Sequence, residues 1–104
     1  MHIGRMHDRV VIQSPTESYS PSGETTLSWE TFAEVWASVD GLSSRDIMQA
    51  QQANVIASHR VRIRYLNGVT HLQRIEHKGR PMEIASVTSR DNGTMIELLV
   101  REVA

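Results

Sequence analysis

His59-Arg60-Val61-Arg62-Ile63-Arg64-Tyr65 alternates without a break. Val61, Ile63 and Tyr65 fall on one side of an extended chain, and Arg60, Arg62 and Arg64 fall on the other. A period of two with β-branched residues on one side predicts a strand that buries one face. Working toward the C-terminus, Asn67-Gly68 predicts a turn and Val69 to His77 a further strand. Lys78-Gly79 turns the chain tightly into Met82 to Thr88. Pro81 is tolerated at the start of that strand, where no ladder donor is needed. Asp91-Asn92-Gly93 predicts a hairpin turn into a last strand over Met95 to Val103, with Ile96, Leu98 and Val100 facing one way.

Toward the N-terminus the pattern is less regular. Val10-Val11-Ile12 reads as a first strand. The stretch from Ser14 to Glu24 is rich in Ser, Pro and Gly and predicts a long exposed hairpin loop. From Leu27 to Val39 the apolar residues are split. Trp29, Val35, Ala37 and Val39 share one parity, and Phe32 and Trp36 the other. That fits a bulged strand, or one with two apolar faces, one of which meets another subunit. Two Trp on opposite parities do not easily share one buried face, so Trp29 or Trp36 is expected to anchor an interface. Gly41-Leu42-Ser43-Ser44-Arg45-Asp46 carries the signature of a helix start. Ser43 is placed to cap, and Asp46 stands three residues on. The helix is expected to run on to Gln52, with a narrow apolar face of Ile47, Ala50 and Met48. About six strands, one short helix and one long loop imply a mainly β domain, a small antiparallel barrel or sandwich. Residues 1–104 are expected to form that single domain.

Composition narrows the function. Net charge is −1, so a protein whose main work is gripping phosphates is disfavoured. Aromatics make up only 5% of residues, so the core is expected to rest on Val, Ile, Leu and Met, with the two Trp as its largest pieces. With no Cys, disulfides and thiolate metal sites are excluded. Met1 to Met6 has no apolar run of the signal-peptide kind, and no stretch reaches the length of a membrane span. The expectation is a soluble protein made and used in the host cytoplasm.

The sequence shows no site for chemistry. His2, His7, His59, His71 and His77 form no spaced pair of metal-ligand type, and they read as surface residues. No Gly-x-Ser-x-Gly elbow and no phosphate-cradling loop is present. Glu76 and Glu83 read as part of a solvated sheet face. No enzyme activity and no cofactor are therefore expected. Arg60, Arg62 and Arg64 project about 7 Å apart and could follow a phosphate backbone or line a DNA channel. With a near-neutral chain, they read first as a face balanced by Glu76, Glu83, Glu97 and Glu102, on neighbouring strands or on the next subunit.

Taken together, several stretches resemble the phage head–tail joining proteins, also described as head completion, stopper or adaptor proteins. They are Gly4-Arg5-Met6, Asp8 to Gln13, Trp29, Ala33 to Val39, Leu42 to Asp46, Ala50-Gln51-Gln52, His59 to Tyr65 and Gly68-Val69-Thr70. Arg74-Ile75, Gly79-Arg80, Glu83-Ile84, Glu97 to Leu99 and Arg101 to Val103 complete the set. The likeness spans nearly the whole chain. It departs from the family pattern at Ser44, at Met82 and at His7-Asp8.

The resemblance implies a small β-barrel with a long internal loop, assembled below the portal as a ring of about twelve copies with head-to-tail contacts. Such a ring would close the DNA-filled head, touch packaged double-stranded DNA transiently, and offer the tail a docking surface. The portal or adaptor proteins would lie above it and the tail proteins below, at the head–tail interface of the virion, with no membrane involved. The resemblance also implies that the segment of about Gly41 to Ala57 projects into the channel as a plug. On its own residues this segment is polar with little net charge, through Ser43, Ser44, Arg45, Asp46, Gln49, Gln51, Gln52 and Asn54. The competing expectations are a tail terminator or other phage ring subunit, and a nucleic-acid-binding barrel of the OB type carried by Arg60 to Arg64.

Overall fold

In the computed structural model, which describes residues 6–103, the alternating stretch is strand β3, His59–Arg64. Its Val61 and Ile63 are fully buried, while its arginines point away from the core. Tyr65 lies just beyond the strand and is exposed, so it leaves the parity that the alternation suggested. The preceding elements are β1 (Asp8–Tyr19), β2 (Thr25–Gly41) and helix α1 (Ser44–Gln52). Following β3 come β4 (Arg74–His77), β5 (Arg80–Arg90), a tight turn (Asp91–Gly93) whose three residues all have positive φ, and β6 (Met95–Glu102). All neighbours are antiparallel, and the sheet closes on itself in the order β1-β2-β3-β6-β5-β4. His2, Gly4 and Arg5 lie outside the described residues.

Closure follows from strands that each offer one apolar side and from two bulges that bend them. Ile12 pairs with Ala33 and Gln13 with Thr31, which leaves Phe32 as the extra residue in β2. Ile84 pairs with Val100 and Ser86 with Leu99, which leaves Ala85 as the extra residue in β5. An extra residue kinks its strand and deepens the local twist, which helps a narrow sheet to curl shut. Inside, Val10, Ile12, Val61, Ile63, Ile75, Leu98 and Val100 are completely buried, and Ala37, Met82, Ile84 and Ile96 complete the cluster. Burying each larger aliphatic side chain contributes roughly 1.5–3 kcal/mol. The core holds no aromatic ring: Trp36 is 55% exposed and Trp29 only half-buried, contrary to the expectation that the two Trp would be its largest pieces.

Two segments depart from the sequence reading. The Ser/Pro-rich stretch is not a long loop, since β1 and β2 stay paired out to Tyr19 and Thr25. Only residues 20–24 turn, with the Gly23 amide donating to the Ser20 carbonyl at 2.9 Å. Alternating Ser and Thr suit a ribbon with water on both sides, because the ladder satisfies the backbone and the side chains need no burial. This arm makes the molecule elongated, 49 × 29 × 25 Å, with a radius of gyration of 14.8 Å where about 13 Å is usual for this length.

The long loop instead spans residues 65–73, and of the strand expected over Val69 to His77 only Arg74–His77 forms. The loop turns inward to lay Leu66 and Val69 on the core. Buried Gln73 fixes its end: its Oε1 accepts from the Thr70 amide and its Nε2 donates to Ser14 Oγ, both at 3.0 Å. Gly68, at φ +92°, lies against the ring of the bulge residue Phe32. A Cβ there would come within 3.0 Å of Phe32 Cζ.

The helix starts where its cap predicted. Ser43 Oγ accepts from the Asp46 amide at 3.2 Å. The carboxylate of Asp46 turns to Arg60, 3.9 Å away. The helix ends before Asn54, whose φ of +61° stops it in the left-handed region. Only Ala50 of α1 is buried. The helix rests on the outside of the barrel, with Leu42, Asp46, Gln49 and Ala50 beside Arg60, Thr88, Arg90, Glu97 and Leu99.

Candidate interaction surface

The bulge at Phe32 decides where the tryptophans go. On β1 the side chains of Arg9, Val11, Gln13, Pro15, Glu17 and Tyr19 alternate outward, opposite the buried Val10 and Ile12. Across the ladder they face Trp36, Glu34, Thr31, Trp29, Leu27 and Thr25. Counting along β2 alone gives the two Trp opposite parity. The extra residue shifts the phase by one and returns both to the same outer face.

Each Trp is held by a guanidinium. Arg9 lies 5.1 Å from the Trp36 ring centroid and pairs with Glu34 at 3.1 Å. Arg74 lies 4.4 Å from the Trp29 ring centroid and donates to Gln13 Oε1 at 2.6 Å, and Gln13 Nε2 donates to Glu76 at 3.0 Å. Such stacking contributes roughly 0.5–1 kcal/mol at an exposed site. It also fixes large rings on the surface at little further entropic cost. Beside Trp36 a groove of about 810 Å³ opens, lined by Arg9, Glu34, Trp36, Arg64, Tyr65 and Leu66.

The arginine row is not uniform. Arg60 and Arg90 converge on the buried Glu97, at 2.6 and 2.9 Å. Arg62 and Arg64 form no ion pair among the described residues, and Arg64 borders the groove. Of the carboxylates expected to balance the row, Glu97 alone reaches it. Glu83 pairs with Arg101, Glu76 takes the Gln13 amide, and Glu102 stands 4.0 Å from His59.

The polar segment after β2 is anchored at both ends, since the Leu42 amide donates to the Ser58 carbonyl and the Ser58 amide to the Val100 carbonyl. Between these points Ser44, Arg45, Gln49, Gln51, Gln52 and Asn54 are exposed, as are Met48 and Ile56 at 62% and 63%. His77 pairs with Asp8 at 3.3 Å, and no cluster of three or more metal-ligating residues occurs among the described residues.

Sequence reading missed the groove and the arm's role as an outward ribbon. A signal was present, since Leu27 and Trp29 share a parity and no Lys or Arg occurs between Arg9 and Arg45.

Comparison with known proteins agrees with this architecture. A solution structure of protein SF1141 from Shigella flexneri 2a superposes with a TM-score of 0.83 at 31% identity, covering 100% of this chain and 98% of that one. A chain of the virion of a native gene transfer agent particle shares the fold, with a TM-score of 0.64 at 19% identity, over 95% of this chain and 96% of that one. Head completion protein gp7 of Enterobacteria phage HK97 is 30% identical over 107 aligned positions, covering 97% of this chain and 96% of that protein. The family described as phage head completion protein matches residues 1–103. A closed six-stranded barrel with one outer helix, matched over nearly its whole length in sequence and in fold, places this chain in the phage head completion protein family.

Proposed function

We propose that this head completion protein is a subunit of the connector ring between head and tail. It would close the DNA-filled head below the portal or adaptor and give the tail a surface to dock on. The observation that carries this reading is the outer face of β1 and β2. A small barrel with its own aliphatic core holds two tryptophans on its outer face, each beside a guanidinium, and extends a ribbon with no buried residue beyond it. Large rings on a rigid sheet, fixed in place before any partner arrives, are the anchors expected of a protein that works by contact.

The ring, of about twelve copies in this reading, forms at the head–tail interface of the virion and assembles in the host cytoplasm. The segment of residues 41–57 acts in it as the plug. Its helix buries only Ala50, so swinging away from the barrel would break few apolar contacts. Arg62 and Arg64 form no ion pair among the described residues, which leaves them to meet either packaged DNA or a neighbouring subunit, while Arg60 is committed to Glu97.

The test is electron microscopy of a lysate from the parent phage with this gene disrupted. Complete separate tails beside heads that have lost or are losing DNA are expected. Joined intact particles would overturn the joining role. Full stable heads with malformed tails would move the protein to the tail-terminator role. For the plug, deletion within residues 45–54 is expected to give heads that leak DNA, and normal retention would rule it out.

A further inference from the structure

The ribbon formed by residues 14–31 has two unlike faces. Glu17, Tyr19, Leu27 and Trp29 share one, and Ser14, Thr16, Ser18, Thr26, Ser28 and Glu30 share the other. Tyr19 is 73% exposed and Leu27 54%. A two-stranded ribbon alone is marginal in water, and an apolar face left open calls for a cover. Its charge is one-sided, since Glu17, Glu24 and Glu30 are its only ionisable side chains other than the Tyr19 phenol.

The groove beside Trp36 has the complementary character. It is aromatic and apolar at Trp36, Tyr65 and Leu66, its Glu34 is paired with Arg9, and its Arg64 forms no ion pair among the described residues, with Arg62 on the same side of β3. Its volume of about 810 Å³ is in the range that encloses a compact ligand of several side chains' size. The arm cannot fill the groove of its own barrel. Thr25 is eleven residues from Trp36 along one continuous strand, about 35 Å at 3.3 Å per residue.

We propose that the groove of one copy receives the arm of the next. Tyr19 and Leu27 seat against Trp36 and Tyr65, and the glutamates of the arm meet Arg64 and Arg62. The contact is heterologous, an arm on one surface and a groove on another, so it repeats around a closed ring. This rests on the ring reading above.

The absence of Cys from the chain makes a direct test possible. Ser22→Cys at the arm's turn and Asn67→Cys beside Leu66 leave the docking side chains intact. Particles carrying the double variant are treated with a short bismaleimide bridge and analysed on a denaturing gel. A ladder of multimers is expected from the double variant, and only monomers from either single variant. A monomer-only result from particles that hold the protein at normal levels would overturn the docking and leave the ring reading standing. A bridge within one chain, or to a different virion protein, would overturn it equally. Absence of the protein from particles would sink both readings. In the same assay Arg64→Glu is expected to reduce the ladder several-fold and Glu24→Arg to restore it, and failure to restore would overturn the assigned charge pairing.

Discussion

Strands β1 and β2 live in two settings. Near the barrel, β1 carries Val10 and Ile12 with no exposure at all, and past the bulge not one residue of 14–31 is buried. The backbone ladder runs through both halves and is interrupted at the Phe32 bulge. The hydrogen bonds are alike and the burial is not, so the barrel half derives its stability from apolar contact and the arm has almost none of its own. Side chains in the barrel answer to the fold, and those in the arm are largely released from that constraint.

Substitutions should separate these two halves by size of effect. Leu98→Ala removes a fully buried side chain from the barrel centre and should cost about 3 kcal/mol, lowering the thermal midpoint by roughly 15 °C in calorimetry. Glu97→Ala leaves Arg60 and Arg90 facing each other without their shared carboxylate. It should cost about 2 kcal/mol in urea unfolding, short of a fully buried pair because Arg90 is largely exposed. Gly68→Ala meets both a positive φ and the Phe32 ring, and about 1.5 kcal/mol of stability should be lost by the same measurement. Ser43→Ala removes the helix cap, worth about 1 kcal/mol locally. Hydrogen exchange should show faster α1 amides while the urea midpoint barely moves. The double change Tyr19→Ser with Leu27→Ser should shift stability by less than about 0.5 kcal/mol and yet abolish head–tail joining in a plaque or particle assay. A large loss of stability there would break the contrast between arm and barrel.

The barrel was legible because its strands obey simple periodicity. Val61 and Ile63 alternate cleanly, and Ile96, Leu98 and Val100 do the same, so burial could be read directly from the pattern. The helix start was legible because a cap is a local event: Ser43 and Asp46 lie three residues apart and need no distant partner. What failed was non-local. The phase of Trp29 relative to Trp36 depends on one extra residue, Phe32, which reveals itself only when β2 is laid against β1. The Ser14–Glu24 stretch resembles a loop by composition, yet it pairs because its partner lies just across the turn. Val69 follows the Asn67-Gly68 turn and so reads as the start of a strand, but the side chain of Gln73 holds that segment as a loop. The arginine row looked uniform because sequence spacing says nothing of Glu97, 37 residues from Arg60, which claims only one of the three.

The arm has a further consequence, for crowding. Beyond the barrel, among the described residues, β1 and β2 pair only with each other, so each has one edge of backbone donors and acceptors without a strand partner there. Such edges invite like strands to stack into fibres when many copies gather. Pro15 withdraws a donor from the ribbon, and Glu17, Glu24 and Glu30 load it with like charge. Two arms that meet side by side therefore repel. The same residues that give the arm its acidity oppose edge-to-edge stacking of one copy on another.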